Sequence, residues 1–424
     1  MLRFFIFALL GLAAIGAAAK AITAAPDGAP VAASAGFSVP GFELVQNAPL
    51  ETALANGDLR GALEVWSELF DGARHDIAIA QFYAAGKAGS AFEQVVARLA
   101  AAGARGVKIR FLLDKKGVAL SNPDTMEQLR QIPNLTLRII DFSTLPGNGI
   151  VHAKYIVIDN DAAYVGSQNF DWRSFEHINE LGLLISDKKM ARQVRAIFDQ
   201  DWRAQALIAQ GKPVPLLNKK RVPAAIGQSA FLLASPNAYN PPGVGDAESA
   251  LPALLGEAKD EVLIQLLDYA PLSYGPDRTR PFYPVIDNAL RAASARGVKI
   301  KLMVSNWNTA EPALAHLKSL SLLPGIEIRI VTIPQASTGF IAFARVIHSK
   351  TMVIDGHLAW IGTSNWAGGY MDHSRNLEVV LRSEPNKRIV QRVAALHLQV
   401  WDSQHAAALD VQKDYPKPIK GSAE

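Results

Sequence analysis

Apolar and polar residues alternate in the same order in two halves of the chain. Each half starts with an apolar run typical of a buried strand, continues with a helix carrying an apolar stripe, and returns to apolar strands before a closing helix. In the first half, the predicted strands are 77–83, one beginning at 107, 135–140, one around 164–165, and 181–185, and the helices are 91–102 and 191–202. In the second half, the strands are 262–267, one beginning at 298, 326–331, one around 360–361, and 379–381, and the helices are 285–295 and 389–401. This order predicts an α/β fold class with a mixed or largely parallel sheet in each half.

Short segments of the first half recur in the second half. The segment Gly-Val-Lys-Ile that begins at Gly106 returns at Gly297, 191 residues later. Further matches have offsets of 196 to 199 residues: His152, Lys154 and Asp159 with His348, Lys350 and Asp355; Gly166 and Asn169 with Gly362 and Asn365; Glu180 with Glu378; and Trp202 with Trp401. A period this long exceeds that of solenoid repeats and indicates a duplicated domain.

The duplication sets the predicted domain boundaries. The two halves are predicted at 43–205 and 251–405, with a proline-containing linker at 206–250 and a C-terminal tail at 406–424. Arg3 precedes an uncharged apolar run and small residues, so residues 1–25 are predicted to be a signal peptide or an N-terminal anchor. Residues 26–42, rich in Pro, Gly, Ala and Ser, are predicted to be a flexible tether. We therefore expect a secreted or periplasmic protein, or one held at a membrane by an uncleaved N-terminal helix.

Composition excludes several kinds of protein and of site. Of 424 residues, 49% are hydrophobic and 19% are charged, which is typical of a globular chain. The chain has no cysteine, so disulfides, zinc ribbons, iron–sulfur clusters and thiol nucleophiles are excluded. A net charge of +4 is compatible with a polyanionic partner without requiring one.

In each half a histidine and a lysine stand two positions apart within an apolar run. On an extended strand this spacing places His152 with Lys154, and His348 with Lys350, on one face. One such pair is often structural. Two pairs, each followed by Asp, by Gly-[Ser/Thr]-x-Asn and by a later Glu, indicate a site.

These residue types fit the cleavage of a phosphodiester. Such an anion resists attack by another anion, so its oxygens need neighbouring cations and hydrogen-bond donors, which the two lysines supply together with Asn169 and Asn365. The reaction also needs a nucleophile and an acid for the leaving alkoxide, and two imidazoles can provide both. Because lysine is not a metal ligand and repels a divalent cation, we expect neither a metal nor another cofactor.

Two pairs of acidic residues accompany the histidines. Glu180 and Glu378 follow them by 28 and 30 residues and are predicted to accept a hydrogen bond from the imidazole nitrogen that faces away from the substrate. The alternative for this pair is a solvated strand carboxylate. Asp159 and Asp355 come five residues after the lysines, on the opposite strand face, and are predicted to make a structural hydrogen bond in a turn.

The double H-x-K-x(4)-D pattern with its Gly-[Ser/Thr]-x-Asn segments resembles the phospholipase D superfamily. The similarity runs from about residue 43 to 405, and segments 169–174, 180–182 and 362–366 resemble the branch containing animal lysosomal phospholipase D-like 5′ exonucleases and poxviral envelope phospholipases. The resemblance implies two pseudo-symmetric α/β/α halves packed around one active site, a phosphohistidine intermediate, and no metal. The absence of cysteine departs from the disulfide-stabilised lysosomal members, so lysosomal location does not transfer.

The resemblance also implies roles for individual residues. His152 corresponds to the nucleophile and His348 to the general acid, although the near symmetry of the two copies leaves the reverse assignment open. The phosphate is expected to be bound by the two lysines and two asparagines of the repeated motifs: Lys154, Lys350, Asn169 and Asn365.

The resemblance defines the bond that is broken better than the substrate. The first prediction is hydrolysis of a phospholipid headgroup, with a membrane surface as a further partner. The alternative is a 5′ exonuclease on single-stranded nucleic acid, for which aromatic residues could stack on bases: Phe170, Trp172, Trp307, Trp366 and Tyr370. A second alternative is a non-catalytic membrane or assembly protein on the same fold. The sequence predicts no oligomeric state.

Overall fold

Two mixed β-sheets, one from each half of the chain, form the framework of the protein. The computed structural model describes residues 36–273 and 280–421. The predicted signal peptide or anchor, and the tether up to residue 35, lie outside the described residues.

The first half contains ten strands and five helices among the described residues. The strands are β1 (Ser38–Val39), β2 (Phe42–Asn47), β3 (Asp76–Gln81), β4 (Ala84–Ala85), β5 (Lys108–Asp114), β6 (Leu135–Ile140), β7 (Tyr155–Ile158), β8 (Ala162–Gly166), β9 (Phe170–Asp171) and β10 (Glu180–Ile185). The helices are α1 (Ala62–Gly72), α2 (Phe92–Ala104), α3 (Pro123–Gln131), α4 (Trp172–Glu176) and α5 (Lys188–Ala209).

The second half repeats this order without an α-helical counterpart of α4 and with one additional strand at its end. Its strands are β11 (Ala230–Ser235), β12 (Gly245–Asp246), β13 (Glu261–Leu266), β14 (Tyr269–Ala270), β15 (Lys299–Ser305), β16 (Ile326–Val331), β17 (Lys350–Ile354), β18 (Leu358–Gly362), β19 (Trp366–Ala367), β20 (Asn376–Arg382) and β21 (Ala406–Ala408). Its helices are α6 (Ala247–Glu257), α7 (Pro284–Ala295), α8 (Ala313–Ser321) and α9 (Ser383–Trp401).

The two large sheets have matching strand orders. The first is β1-β2-β10-β8-β7-β3-β5-β6 and the second is β12-β11-β20-β18-β17-β13-β15-β16-β21. In each sheet three neighbouring strands are parallel, β3-β5-β6 and β13-β15-β16, and the strands that carry the repeated motifs pair antiparallel to them. The predicted α/β fold class with two pseudo-symmetric halves is confirmed, and each sheet is mixed.

The repeated Gly-Val-Lys-Ile segments turn the chain from a helix into a strand. Gly106 and Gly297 follow α2 and α7 with φ of 91° and 87°, a left-handed conformation that favours glycine. The valine and isoleucine that follow are at most 2% exposed. The same local chemistry therefore starts the central parallel strand in both halves.

Helices α5 and α9 belong to a hydrophobic core that both sheets share. This core joins Val194 and Phe198 of α5, Ile389 and Val393 of α9, and side chains such as Leu183 of β10, all of them 0–1% exposed. Alternating apolar positions in the two closing helices bury one face of each. The shared core holds the two sheets together. The loops that follow the parallel strands β3 and β13 therefore meet beside the repeated motifs.

The chain outside the two predicted halves contributes to the sheets. The predicted linker 206–250 contains β11 and β12, and β11 pairs antiparallel with β20 along its whole length. The predicted tether includes β1 and the start of β2, and the predicted tail adds β21 to the far edge of the second sheet. The prolines that suggested a linker lie outside β11 and β12, in the segments that flank them. Among the residues that the structure describes, no helix combines the length and apolar character needed to cross a bilayer.

Candidate active site

One cavity of about 380 Å³ contains both repeated histidines. His152 and Asn169 line it from the first half, and His348 and Asn365 line it from the second half. These four residues are between 2% and 7% exposed. Residues almost 200 positions apart in the sequence therefore share a single site.

Each histidine is held by the backbone of the opposite half. The amides of His152 and Ala153 both donate to the carbonyl of Arg375 at 2.9 Å. In the second half, the His348 amide donates to the carbonyl of Asn179 at 2.8 Å. Both histidines lie just before β7 and β17 rather than inside a strand, because their amides bond across the interface instead of within a sheet. Formation of the site thus requires the two halves to pack together.

The imidazole of His348 pairs with a carboxylate. Its Nδ1 lies 2.8 Å from Oε2 of Glu180, and Oε1 of Glu180 accepts a hydrogen bond from Ser174 at 2.9 Å. Burial acts to raise the pKa of Glu180, but the charges of His348 and Lys350 outweigh it and the pKa is lowered overall. Glu180 is therefore an anion, and it fixes the proton of His348 on Nδ1.

The imidazole of His152 pairs with an amide instead. Its Nδ1 lies 3.2 Å from Oδ1 of Asn376, whose Nδ2 donates to the carbonyl of Tyr370 at 2.8 Å and whose Oδ1 also accepts from Thr363. These contacts set the amide so that its oxygen faces the imidazole, which consequently donates from Nδ1. Burial, with the charges of Lys154 and Lys350, keeps the pKa of His152 well below its usual value. His152 is thus a neutral imidazole with an unprotonated Nε2.

The prediction that Glu378 bonds an imidazole is wrong. Glu378 is fully buried, accepts a hydrogen bond from Ser364, and has no hydrogen-bond partner for its Oε2 among the described residues. Burial raises the pKa of Glu378 to about 8. Its carboxyl group is therefore a neutral acid in the core of the second half and does not contact His152.

The register of the two sheets explains this difference. The backbone amides of Leu181 and Leu377 make the same contact: each donates a hydrogen bond to a Ser or Thr hydroxyl at 3.0 Å. These two leucines are 196 residues apart. The residues just before them, Glu180 and Asn376, are therefore structural equivalents. Glu378 corresponds to a glycine. The sequence analysis matched Glu378 with Glu180 because both are glutamates. The offset of 196 residues that separates the two histidines would instead have identified Asn376 as the equivalent of Glu180.

Both motif lysines are buried beside the histidines but do not line the cavity. Lys154 and Lys350 are 0% and 1% exposed, and each ammonium donates to the carbonyl oxygen of the histidine two residues before it. Burial lowers the pKa of Lys350 to about 7 and that of Lys154 well below its ordinary value. Both lysines thus lie beside the imidazoles without lining the cavity, and burial opposes their positive charge.

The motif asparagines are held by short parallel strand pairs. Asn169 directly precedes β9, which pairs with β4, and Asn365 directly precedes β19, which pairs with β14. Their Oδ1 atoms are buried without a hydrogen-bond partner among the described residues. Their side-chain amides are therefore positioned in the cavity and available to a ligand.

The two motif aspartates lie in turns outside the cavity. Asp159 accepts hydrogen bonds from the amides of Arg74, His75 and Asp76 at 2.8–2.9 Å. Asp355 does the same with three consecutive amides at 2.7–2.9 Å. Both residues have positive φ, 52° and 49°, a conformation that aspartate tolerates better than most residues. The hydrogen bonds account for an aspartate at the same place in both motifs.

A buried ion pair supports the segment that holds His152. The Arg375 guanidinium, 0% exposed, bonds Asp201 of α5 at 2.9–3.2 Å and the side chain of Asn240 at 2.8 Å. Arg375 precedes Asn376 and its carbonyl accepts from His152, so this pair positions both. The sequence offered no repeated signal for it, because the equivalent place in the first half is occupied by Asn179.

The cavity walls include residues that sequence patterns did not single out. These are Phe82, Tyr83, Leu120, Arg173, Asp268, Phe343 and Lys420. Of the five aromatic residues suggested for stacking, Trp307 and Tyr370 line the cavity, whereas Phe170 and Trp366 are buried in the core.

Within residues 36–273 and 280–421, no cluster of three or more His, Cys, Asp or Glu side chains is arranged to hold a metal ion.

Comparison with protein families identifies both halves. The family model described as "Cardiolipin synthase, PLD-like domain" matches residues 67–202 and 253–401, one match in each half.

Three curated proteins are similar over most of the chain. Phospholipase D Z of Dictyostelium discoideum is 30% identical over 81% of this chain and 85% of its own length. The 5′-3′ exonuclease PLD3 of Rattus norvegicus is 28% identical over 88% of this chain and 81% of its own length. A probable phospholipase D of Caenorhabditis elegans is 29% identical over 73% of this chain, which spans only 59% of that longer protein.

Solved structures share the fold. The phosphatidylserine synthase of Haemophilus influenzae superposes with a TM-score of 0.56 at 13% identity, covering 82% of this chain and 85% of that one.

Proposed function

Because this chain belongs to the phospholipase D-like family, we propose that it hydrolyses phosphodiesters through a covalent phosphohistidine on His152, with His348 as the general acid. The observation that carries this proposal is the unequal pairing of two imidazoles in one cavity, one with an amide and one with a carboxylate. A nucleophilic imidazole must be unprotonated at the attacking nitrogen, whereas an acid must carry a proton. The amide of Asn376 favours the first state in His152, and the carboxylate of Glu180 favours the second in His348.

The hydrogen-bond partners assign the two roles. An amide oxygen orients His152 without stabilising a positive charge, so its Nε2 lone pair stays free to attack phosphorus. The carboxylate of Glu180 stabilises the imidazolium form of His348, which can then donate a proton. This difference favours the assignment in which His152 is the nucleophile over the reverse one.

The reaction proceeds in two steps with balanced proton transfers. In the first, Nε2 of His152 forms a bond to phosphorus, the bond from phosphorus to the leaving oxygen breaks, and His348 gives its proton to that oxygen. In the second, His348 takes a proton from water, the resulting hydroxide attacks phosphorus, and the bond to His152 breaks. The products are an alcohol and a phosphate monoester.

The side-chain amides of the cavity wall bind the phosphate oxygens, and the buried ammonium groups act from outside the cavity lining. Asn169 and Asn365 contact the substrate from the cavity wall. Lys154 and Lys350, whose pKa values burial lowers, hold their protons more firmly once the phosphate anion arrives. In the empty cavity, burial lowers the pKa of His348 to about 4. An arriving phosphate anion raises this pKa, so substrate binding itself helps to protonate the acid.

A phospholipid headgroup is the first substrate candidate. Leu120 and Phe343 line the cavity and remain 45% and 38% exposed. Exposed apolar side chains at the mouth of a site are suited to contact with the glycerol and acyl chains of a lipid.

The end of a single-stranded nucleic acid is the second substrate candidate. Trp307 offers an aromatic surface at the cavity, and the ammonium of Lys420 lies 5.4 Å from its ring centroid. An aromatic platform beside a cation is the usual means of binding single strands.

One paired assay tests the reaction and separates the substrates. Purified protein is incubated in EDTA with phosphatidylcholine vesicles and, separately, with a 5′-hydroxyl single-stranded oligonucleotide, and His152→Asn serves as the matched control. Release of choline supports the lipid candidate, and release of terminal nucleotides supports the nucleic-acid candidate. The absence of both products, or equal activity in His152→Asn, would overturn the proposed function.

A further inference from the structure

The segment 409–421, called the strap here, runs back over the second half to the cavity. The amide of Leu409 donates to the carbonyl of Ile328 at 2.9 Å, and the Lys413 carbonyl accepts from Lys318 at 2.8 Å. Near its end, the Lys420 carbonyl accepts from the amide of Phe343 at 2.6 Å. These contacts attach the strap at both ends and bring a residue of the predicted tail into the site.

Lys420 is the cation at the cavity whose charge is least neutralised. It lines the same cavity as His152 and His348, and it takes part in none of the ion pairs within the described ranges. Arg173, the other cation there, is neutralised by a 2.7 Å contact with the buried carboxylate of Asp171. The positive charge that an incoming substrate meets in this part of the cavity is therefore that of Lys420.

Lys420 of the strap forms a small aromatic and cationic surface with Trp307, which follows β15, and Phe343, which lies between β16 and β17. The Trp307 ring contacts Phe343 edge to face, with ring centroids 6.3 Å apart, and the Lys420 ammonium lies 5.4 Å from the Trp307 centroid. The charge of Lys420 also reaches Asp268, whose pKa burial raises and Lys420 lowers. In the unliganded site the Lys420 ammonium thus interacts with the Trp307 ring and with the charge of Asp268, and a phosphate anion can replace these interactions.

We propose that Lys420 binds the phosphate adjacent to the scissile one in a single-stranded nucleic acid, with the neighbouring base on Trp307. This inference rests on the proposed function, because it assumes that the scissile phosphate lies between the two histidines. A nucleic-acid strand always carries a second phosphate and a base next to the scissile bond, which matches a cation beside an aromatic ring. A phosphocholine headgroup carries a positive charge instead and would be repelled by Lys420.

The test compares substrates that have or lack a second phosphate. Steady-state kinetics are measured with a 5′-hydroxyl oligothymidylate and with bis(p-nitrophenyl) phosphate, for the wild type, Lys420→Gln and Lys420→Arg. Lys417→Gln is the matched control, because Lys417 is an exposed lysine of the same strap.

We expect Lys420→Gln to raise KM for the oligonucleotide about 5- to 10-fold, as loss of one charge-assisted contact would. The slope of log KM against log salt should fall by about 0.7, the value for one phosphate contact on a single strand. In Lys420→Gln, the rate of bis(p-nitrophenyl) phosphate hydrolysis should stay within about twofold of the wild type. In Lys420→Arg, which keeps the positive charge, and in Lys417→Gln, KM for the oligonucleotide should also stay within about twofold. Thermal unfolding establishes that each variant is folded.

Three results would overturn the inference. Equal losses on both substrates in Lys420→Gln would mean that the strap only supports the fold of the site. Wild-type hydrolysis of bis(p-nitrophenyl) phosphate and phosphatidylcholine, with none of the oligonucleotide, would reject the nucleic-acid substrate and leave the proposed function standing. No hydrolysis of any substrate by the wild type would reject both.

Discussion

The carboxylate of Glu180 lies 2.8 Å from Nδ1 of His348, although the two residues belong to opposite halves of the chain. At the equivalent place in the other half, an amide oxygen takes the position of the carboxylate. A duplication that began with two similar motifs has therefore ended with two chemically different histidines. This difference allows a symmetric fold to perform a reaction whose nucleophile and acid are not interchangeable.

The first prediction separates the roles of the two histidines. His152→Asn should lower kcat by roughly 10⁴-fold on any phosphodiester, because it removes the nucleophile. His348→Asn should cause a similar loss on substrates with alkoxide leaving groups but a much smaller one when the leaving group is p-nitrophenolate, which needs no proton. Rapid-quench kinetics and mass spectrometry of the trapped phosphoenzyme measure this. A phosphoenzyme that forms in His152→Asn and not in His348→Asn would reverse the assignment.

The second prediction concerns the pH dependence set by Glu180. Its negative charge raises the pKa of His348 against the effect of burial, which brings that pKa to about 4 in the empty site. Glu180→Gln removes the charge, so the pKa falls further and His348 loses its proton at lower pH. The alkaline limb of the kcat/KM profile should therefore move to lower pH, with a loss of about 10- to 100-fold above it.

The matched control for Glu180→Gln is Glu378→Gln, another fully buried glutamate that contacts no imidazole. It should leave the position of the alkaline limb unchanged. A uniform decrease at every pH in Glu180→Gln, with the limb in place, would show that Glu180 only positions the ring.

The third prediction links Glu378 to stability. Burial raises its pKa in the folded protein to about 8 from 4.5. Between these two values the folded state holds a proton that the unfolded chain releases, so stability from this group is full below pH 4.5 and is lost as pH rises through about 8. Relative to Glu378→Gln, the wild type should lose unfolding free energy between about pH 5 and about pH 9. A difference that stays constant with pH in urea titrations would contradict this.

The fourth prediction distinguishes structural from catalytic residues within the motifs. Asp159→Asn and Asp355→Asn each replace a carboxylate that accepts three backbone hydrogen bonds with a neutral amide, which weakens those hydrogen bonds. Each should lower the unfolding free energy by about 1–2 kcal/mol and leave kcat unchanged. Chemical denaturation and steady-state kinetics on the same samples provide the measurement. A tenfold decrease in kcat without loss of stability would assign these residues to the reaction.

Local patterns predicted the elements of the fold well because they record burial directly. The predicted strand 135–140 and the parallel strand that begins near Val107 occur in the structure as β6 and β5, and the closing helices occur as α5 and α9 with longer ends. Strand ends are set by pairing with neighbours, which a single segment does not reveal. Strands β11 and β21 were missed for the same reason, because their partners β20 and β16 lie far away in the sequence. The edge strands β1 and β12 have two residues each, too few to produce an alternating pattern.

The candidate site was predictable where residue type and repeat agreed. His152, His348, Asn169 and Asn365 were identified from the repeat, and the structure brings all four into one cavity. Glu378 was assigned wrongly because a glutamate near the expected place was preferred to the constant offset. Lys420 carried no repeat or motif at all, so only the path of the strap could identify it.

By itself, the sequence determined the duplication, the α/β class and the residue types available for chemistry, since these depend on periodicity and on side-chain identity. Tertiary structure alone decided which partner each imidazole has and which cation reaches the cavity. Those contacts cross between halves and depend on the packing of two sheets around a shared core. A one- or two-residue difference in alignment, too small to see in composition or periodicity, is enough to exchange a carboxylate for an amide beside a histidine.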